Sequence, residues 1–179
     1  MSLDLPATIR SVLMDWATFE ERLTDVLAHR LDAAVLLLGT QDSDKGFVQV
    51  AGRFTSEPHP QLLSAEIVTS PVGAPDAVVT EADAQMFTDA GFKYDEDCGS
   101  WDCGVTHPWT DDSFRRIAAC WVHAMRDLFG HSSPDDVTYY GWRYPMRIRT
   151  PYGDRISSKL KDYEIASLGL RYFRPEEAR

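Results

Sequence analysis

The stretch "CGSWDCGVTHPW", Cys98 to Trp109, gathers two thiols, an imidazole, a carboxylate and two indoles. Three chemistries suit those residue types. Cys98, Cys103 and His107 carry zinc-ligating atoms, but structural zinc takes four ligands, usually as two closely spaced pairs. Here a fourth ligand has to arrive through the fold from His59, Asp102, Cys120 or His123. Four residues separate Cys98 from Cys103, which is not the Cys-x-x-Cys spacing of a redox pair, and a total of three cysteines suits free thiols in a reducing compartment. Cys103, His107 and Asp111 offer a nucleophile, a base and an orienting acid, yet no signature fixes their geometry. The simpler expectation is a structural connection between helices, with Trp101 and Trp109 packed as anchors and the indoles mattering more than the thiols. No catalytic residue, metal ligand or cofactor is assigned, and a small hydrolase or zinc-dependent enzyme built on Cys98, Cys103 and His107 stands as the alternative.

Other reactive residues have ordinary explanations. Neither G-x-G-x-x-G nor G-x-x-x-x-G-K-[ST] occurs, so nucleotide binding has no support. His29, His59, His123 and His131 read as solvated or hydrogen-bonded imidazoles. Glu66 stands out inside the apolar run "LLSAEIVTS", where a carboxylate must face water or find a partner. A cross-strand neighbour such as Gln49 or Arg53 would suffice.

These residues need elements to place them. Trp16, Phe19, Leu23, Val26, Leu27 and Leu31 recur at helical spacing, with Glu20, Glu21, Arg22 and Asp25 opposite, so 16–31 reads as an amphipathic helix. Residues 33–39, 47–53 and 62–69 read as strands of an antiparallel meander, separated by the turn cluster at 41–46 and the Pro58-His59-Pro60 break. Thr80 can cap a second helix that ends at Gly91 in a left-handed cap. Thr110 with Ser113 can cap the strongest helix, whose stripe of Phe114, Ile117, Trp121, Ala124, Met125 and Leu128 closes at Gly130. Val137 to Trp142 reads as a strand on which Tyr140 and Trp142 share the face opposite Tyr139. Pro151 to Asp154 reads as a hairpin turn between 146–150 and 155–158, and 168–173 as a last short strand.

A chain of 179 residues with 44% apolar content falls within the single-domain range and can bury a core without metal or disulfide staples. The net charge of -10 disfavours a phosphate backbone, so nucleic acid is excluded as a partner. The charge is uneven: residues 1–142 hold 9 Lys and Arg against 23 Asp and Glu, and residues 143–179 hold 9 against 5. The tail is thus a basic extension of the same domain, able to dock on the acidic body, and that body favours a basic partner. The start lacks a signal-like segment and no apolar run spans a bilayer, so the expectation is a cytoplasmic protein with no membrane partner.

The order of parts carries a resemblance. A first helix with Trp16 and Phe19, "GFVQV" at 46–50, "LLSAEIVTS" at 62–70, "AGF" at 90–92, "SW" at 100–101, a long helix at 111–129 and "YYGW" at 139–142 resemble the TY-Chap family, itself similar to type III secretion chaperones and YbjN-like proteins. Residues 15–142 carry the match. Gln49, Glu66, Gly91, Trp101 and Trp142 fit its pattern, whereas Phe92 stands where the family pattern has Trp, and the basic tail lies outside it. The resemblance implies an α+β fold, an antiparallel β-sheet with helices packed on one face. It also implies a bacterial, non-catalytic peptide- or protein-binding role, commonly as a homodimer. The residues expected to meet a partner are Tyr139, Tyr140, Trp142, Trp101, Gln49 and Glu66, since Tyr and Trp often dominate binding energy. An immunity or antitoxin-like protein that blocks a basic toxin is a further alternative.

Overall fold

A computed structural model describes residues 14–29, 34–40, 45–53, 62–71, 76–106, 110–143, 147–150, 153–156, 161–162 and 164–173. Helix α1 (Trp16–His29) is followed by strands β1 (Ala34–Gly39), β2 (Phe47–Arg53) and β3 (Leu62–Val68). Helix α2 (Glu81–Asp89), strands β4 (Lys93–Asp95) and β5 (Ser100–Thr106), and helix α3 (Asp111–His123) come next. The chain then runs through β6 (Thr138–Arg143), β7 (Arg147–Thr150), β8 (Gly153–Ile156), β9 (Lys161–Asp162) and β10 (Arg171–Tyr172).

Each helix starts where a short polar side chain can satisfy the first backbone N–H groups. In α1 the Thr18 N–H donates to Asp15 Oδ1 at 2.7 Å. In α2 Thr80 and Asp83 form a reciprocal capping box, the Thr80 N–H donating to Asp83 Oδ2 at 2.8 Å and the Asp83 N–H to Thr80 Oγ1 at 3.3 Å. In α3 the Ser113 N–H donates to Thr110 Oγ1 at 3.2 Å. The end of α2 needs a left-handed residue, which Gly91 supplies at φ 97°, so that the Phe92 N–H can reach back to the Phe87 carbonyl at 2.9 Å. The helix read as continuous to Leu128 instead changes pitch: Ala124–Leu128 is a π-helical turn, with the Phe129 N–H bonded to the Ala124 carbonyl.

Strand order in the main sheet is β10-β6-β1-β2-β3-β5-β4, with β9 also paired to β6. The meander β1-β2-β3 and its neighbours β5, β4 and β6 are antiparallel, as expected. The expected antiparallel sheet is nevertheless mixed, because β10 runs parallel to β6. Of the expected last strand 168–173, only Arg171–Tyr172 pairs, and Leu168 ends a buried 3-10 turn. The expected hairpin at 151–154 is present as β7-β8, with Thr150 opposite Gly153. The larger correction concerns Cys98 to Trp109. Most of this stretch is β5, an interior strand between β3 and β4, and not a connection between helices; His107 and Trp109 lie outside the described residues.

Period-two alternation assigns the core. Leu36, Leu38, Val48, Val50, Leu63, Ala65, Ile67, Trp101, Cys103 and Tyr139 point to one face, against Phe19, Leu23, Val26 and Leu27 of α1 and Phe114, Ile117, Ala118 and Trp121 of α3. Phe87 from α2 stacks edge-on against Trp101, with ring centroids 5.3 Å apart. The segment after β9 joins this core through Ile165 and Leu168, and the Ile165 N–H donates to the Tyr139 hydroxyl at 2.8 Å.

His123 ties the helices together, reaching Asp83 of α2 through Nε2 at 2.6 Å and Asp127 through Nδ1 at 2.8 Å. Burial works to raise the Asp83 carboxyl, but its bonds to Thr80 and His123 outweigh that and hold it below the ordinary range. Asp127 is likewise lowered, first by its bond to Arg126 and then, against burial, by charge from Arg126 and His123. Because both acids titrate lower folded than unfolded, their stabilisation is complete above the ordinary carboxylate range and fades as pH falls below about 4. His123→Ala should therefore lower unfolding free energy by about 1–2 kcal/mol at pH 7 in a urea titration, and by clearly less at pH 3.

Candidate functional site on the open face of the sheet

Turning the alternation over gives the second face, on which no described helix packs; Leu37, Phe47, Tyr140 and Trp142 are half-buried there, and Val35, Val68 and Ser100 are buried. Its central row runs straight across six strands: Tyr140 of β6, Leu37 of β1, Gln49 of β2, Glu66 of β3, Asp102 of β5 and Lys93 of β4. The row beyond it holds Phe47, Val68, Ser100 and Asp95. On the other side lie Trp142, Val35, Ala51, Ser64 and Gly104. A concavity of about 510 Å³ opens between Leu37, Phe47, Gln49, Glu66 and Val68, and reaches Lys45, Ser70, Pro71 and Cys98 at the strand ends.

The face is apolar and aromatic at its β6 side and acidic at its β5 side. Tyr140 lies 5.2 Å from Trp142 and 6.2 Å from Tyr172, measured between ring centroids. Glu66 has the cross-strand partner expected of it, since Gln49 Nε2 donates to Glu66 Oε2. Its neighbour on the other side is a second carboxylate, Asp102, which Ser100 Oγ contacts at 3.4 Å. Burial, and then the charge of Glu66, push the Asp102 carboxyl above the ordinary range.

Of the six expected partner residues, the structure brings four onto this face: Gln49, Glu66, Tyr140 and Trp142. Tyr139 and Trp101 belong to the opposite face and are buried in the core, where Tyr139 anchors the C-terminal segment and Trp101 packs on Phe87 and on exposed Tyr94. Leu37, Phe47, Val68 and Asp102 complete the face. Leu37, Phe47 and Val68 were legible in principle, because each sits two residues from another open-face position on its own strand; Asp102 was not, because β5 carries too weak a period-two signal.

The sheet also separates the thiols. Cys98 is exposed in the turn before β5 and borders the open-face concavity, whereas Cys103 is buried toward the helices in register with Ala65. They therefore do not converge on one centre. The Asp95 carboxylate, then desolvation and the charges of Asp102 and Glu66, push the Cys98 thiol up. Burial raises Cys103 and pushes Cys120 up to about 12. All three shifts run opposite to those that activate a thiolate nucleophile.

Residues 9–143 match a family model described as TY-Chap3, "T3SS (YopN, CesT) and YbjN peptide-binding chaperone 3". No curated protein and no solved structure matches the chain. The matched span contains α1 to α3, β1 to β6 and thus the whole open face, and it stops where the basic tail begins.

The opposed carboxylates give a stability prediction. Asp102 faces Glu66 on one side and Lys93 and Asp95 on the neighbouring edge strand, with Cys98 nearby. Since its folded pKa is raised, the unfavourable interaction is present at neutral pH and vanishes as Asp102 protonates in mild acid. Asp102→Asn should raise the thermal midpoint at pH 7 by about 1–2 °C and change it little at about pH 3, below the ordinary carboxylate range. A lower midpoint at pH 7 would count against the assignment.

Proposed function

Because the chain belongs to the TY-Chap3 family of peptide-binding chaperones, we propose that it holds an extended segment of another polypeptide against the open face of its sheet and performs no chemistry of its own. One observation carries this reading. A broad sheet has all its described helices on one side, while the other side presents an apolar concavity beside an aromatic cluster. A pleated surface suits an extended ligand, whose alternate side chains can enter such pockets. Tyr140 and Trp142 supply large, fairly rigid contact area at one end, and the carboxylates mark the other.

The acid-rich body favours a basic client by long-range steering. The setting we assign is the cytoplasm, with a homodimer as the working assembly. Residues 143–179 act as a basic extension of the one domain, a role supported by Ile165 and Leu168 in the core and β10 on β6. No helix among the described residues is long and apolar enough to cross a membrane.

The test is binding to an immobilised array of overlapping 12- to 15-residue peptides (roughly the ~40 Å span of a strand crossing this sheet). Tyr140→Ala and Trp142→Ala should each weaken capture about tenfold and leave the far-ultraviolet circular dichroism spectrum unchanged. Capture indifferent to both substitutions would remove the open face from the mechanism. Light scattering should return twice the 20.2 kDa chain mass for the homodimer; the monomer mass at working concentration would reject it.

A further inference from the structure

The open face has a chemical polarity that peptide binding in general does not require. Glu66 and Asp102 stand directly opposite each other on β3 and β5, where neighbouring strands lie about 4.8 Å apart. Among the residues whose side chains are described, which exclude Arg53, no ion pair reaches either of them: Lys93, level with Asp102 on β4, makes none, and Lys45 sits at the strand-end rim of the concavity, past Phe47. Gln49 engages one oxygen of Glu66 and Ser100 one of Asp102, which leaves acceptor capacity on both carboxylates. Like charges directly opposed across a strand pair are destabilising, and a cation placed between them reverses that sign.

Immediately beside this pair the surface turns apolar, with Leu37, Phe47 and Val68 lining the concavity that Glu66 also borders. Glu66 and Val68 lie on one face of β3 two residues apart, the repeat at which an extended ligand presents its own side chains to a sheet. Resting on the open-face reading above, we propose that the bound segment carries one Lys or Arg whose cationic head sits between Glu66 and Asp102, with an apolar side chain two positions away in the concavity over Leu37, Phe47 and Val68. The pair then selects clients in addition to attracting them, because the neutral analogue forfeits charge-assisted hydrogen bonds to both carboxylates.

The full-length chain is used to select binders from a displayed library of random decapeptides, and the most enriched peptide is synthesised with its basic residue intact and with citrulline in its place. Selected peptides should share a Lys or Arg followed or preceded at two positions by an apolar residue. Citrulline should cost about tenfold in affinity for the native chain, whereas the Glu66→Gln/Asp102→Asn double variant should bind the two peptides equally. Both substitutions keep side-chain shape, and the thermal midpoint reports that the variant is folded. Equal affinity of the native chain for the two peptides, or a preference that survives in the double variant, overturns the inference while peptide binding on the face stands. No enrichment at all overturns both the inference and peptide binding on the face.

Discussion

Successive residues of a strand point to opposite sides of a sheet, and in this chain one side receives the whole described helical layer. Trp121 and Phe114 of α3, together with Phe19 and Leu23 of α1, are buried against Leu36, Val50 and Ala65. Burying a side chain such as Trp121 contributes roughly 2–3 kcal/mol by area, so this single interface supplies much of the drive to fold. The consequence falls on the other side. Leu37, Phe47, Val68, Tyr140 and Trp142 are directed to that side by the register of their inward-facing neighbours, and Tyr140 also packs on Trp142.

The parts of the fold with strong periodicity were legible in the sequence. The α1 stripe from Trp16 to Leu27, with Leu31 outside the described residues, the α3 stripe as far as Trp121, the β1-β2-β3 meander, the Thr80 and Thr110 caps and the left-handed Gly91 occur at the expected positions. So does the division of Tyr139 from Tyr140 and Trp142. Strands β4 and β5 were not legible. Within Cys98 to Trp109 two glycines, an acid, a histidine and a proline dilute the β-branched signal, and only Trp101, Cys103 and Val105 alternate inward. What makes β5 a strand is tertiary: seven register pairs with β3, beginning at Leu62 opposite Thr106. The parallel pairing of β10 escaped for the same reason, since two residues carry no periodicity, and their place follows from the Phe173 N–H bonded to the Tyr139 carbonyl and from Ile165 and Leu168 entering the core.

The strand β5 also changes which residue of this stretch matters to the site. Read as a connector, the stretch offered Cys98, Cys103 and His107 as a candidate centre. Read as a strand, it puts Cys103 inside and Asp102 outside, and Asp102 becomes the residue of interest because it meets Glu66. Glu66 had been conspicuous as an acid in an apolar run, and Gln49 does answer it. The second acid beside it follows only from the β3-β5 register.

That register has a bearing on self-association as well. An open apolar sheet face is a hazard, since two copies can stack on it and bury Phe47, Val68 and Trp142 together. Glu66 and Asp102 lie toward the β5 side of the face, and stacking that superposes the central rows of two copies would bring four carboxylates into one layer beside the two Lys93 side chains, where burying ions is costly. Stacking in that register is therefore disfavoured, whereas other orientations of two copies escape the penalty. In the reading proposed above, the two acids that disfavour this register are also the ones that would accept the cationic side chain of an extended segment.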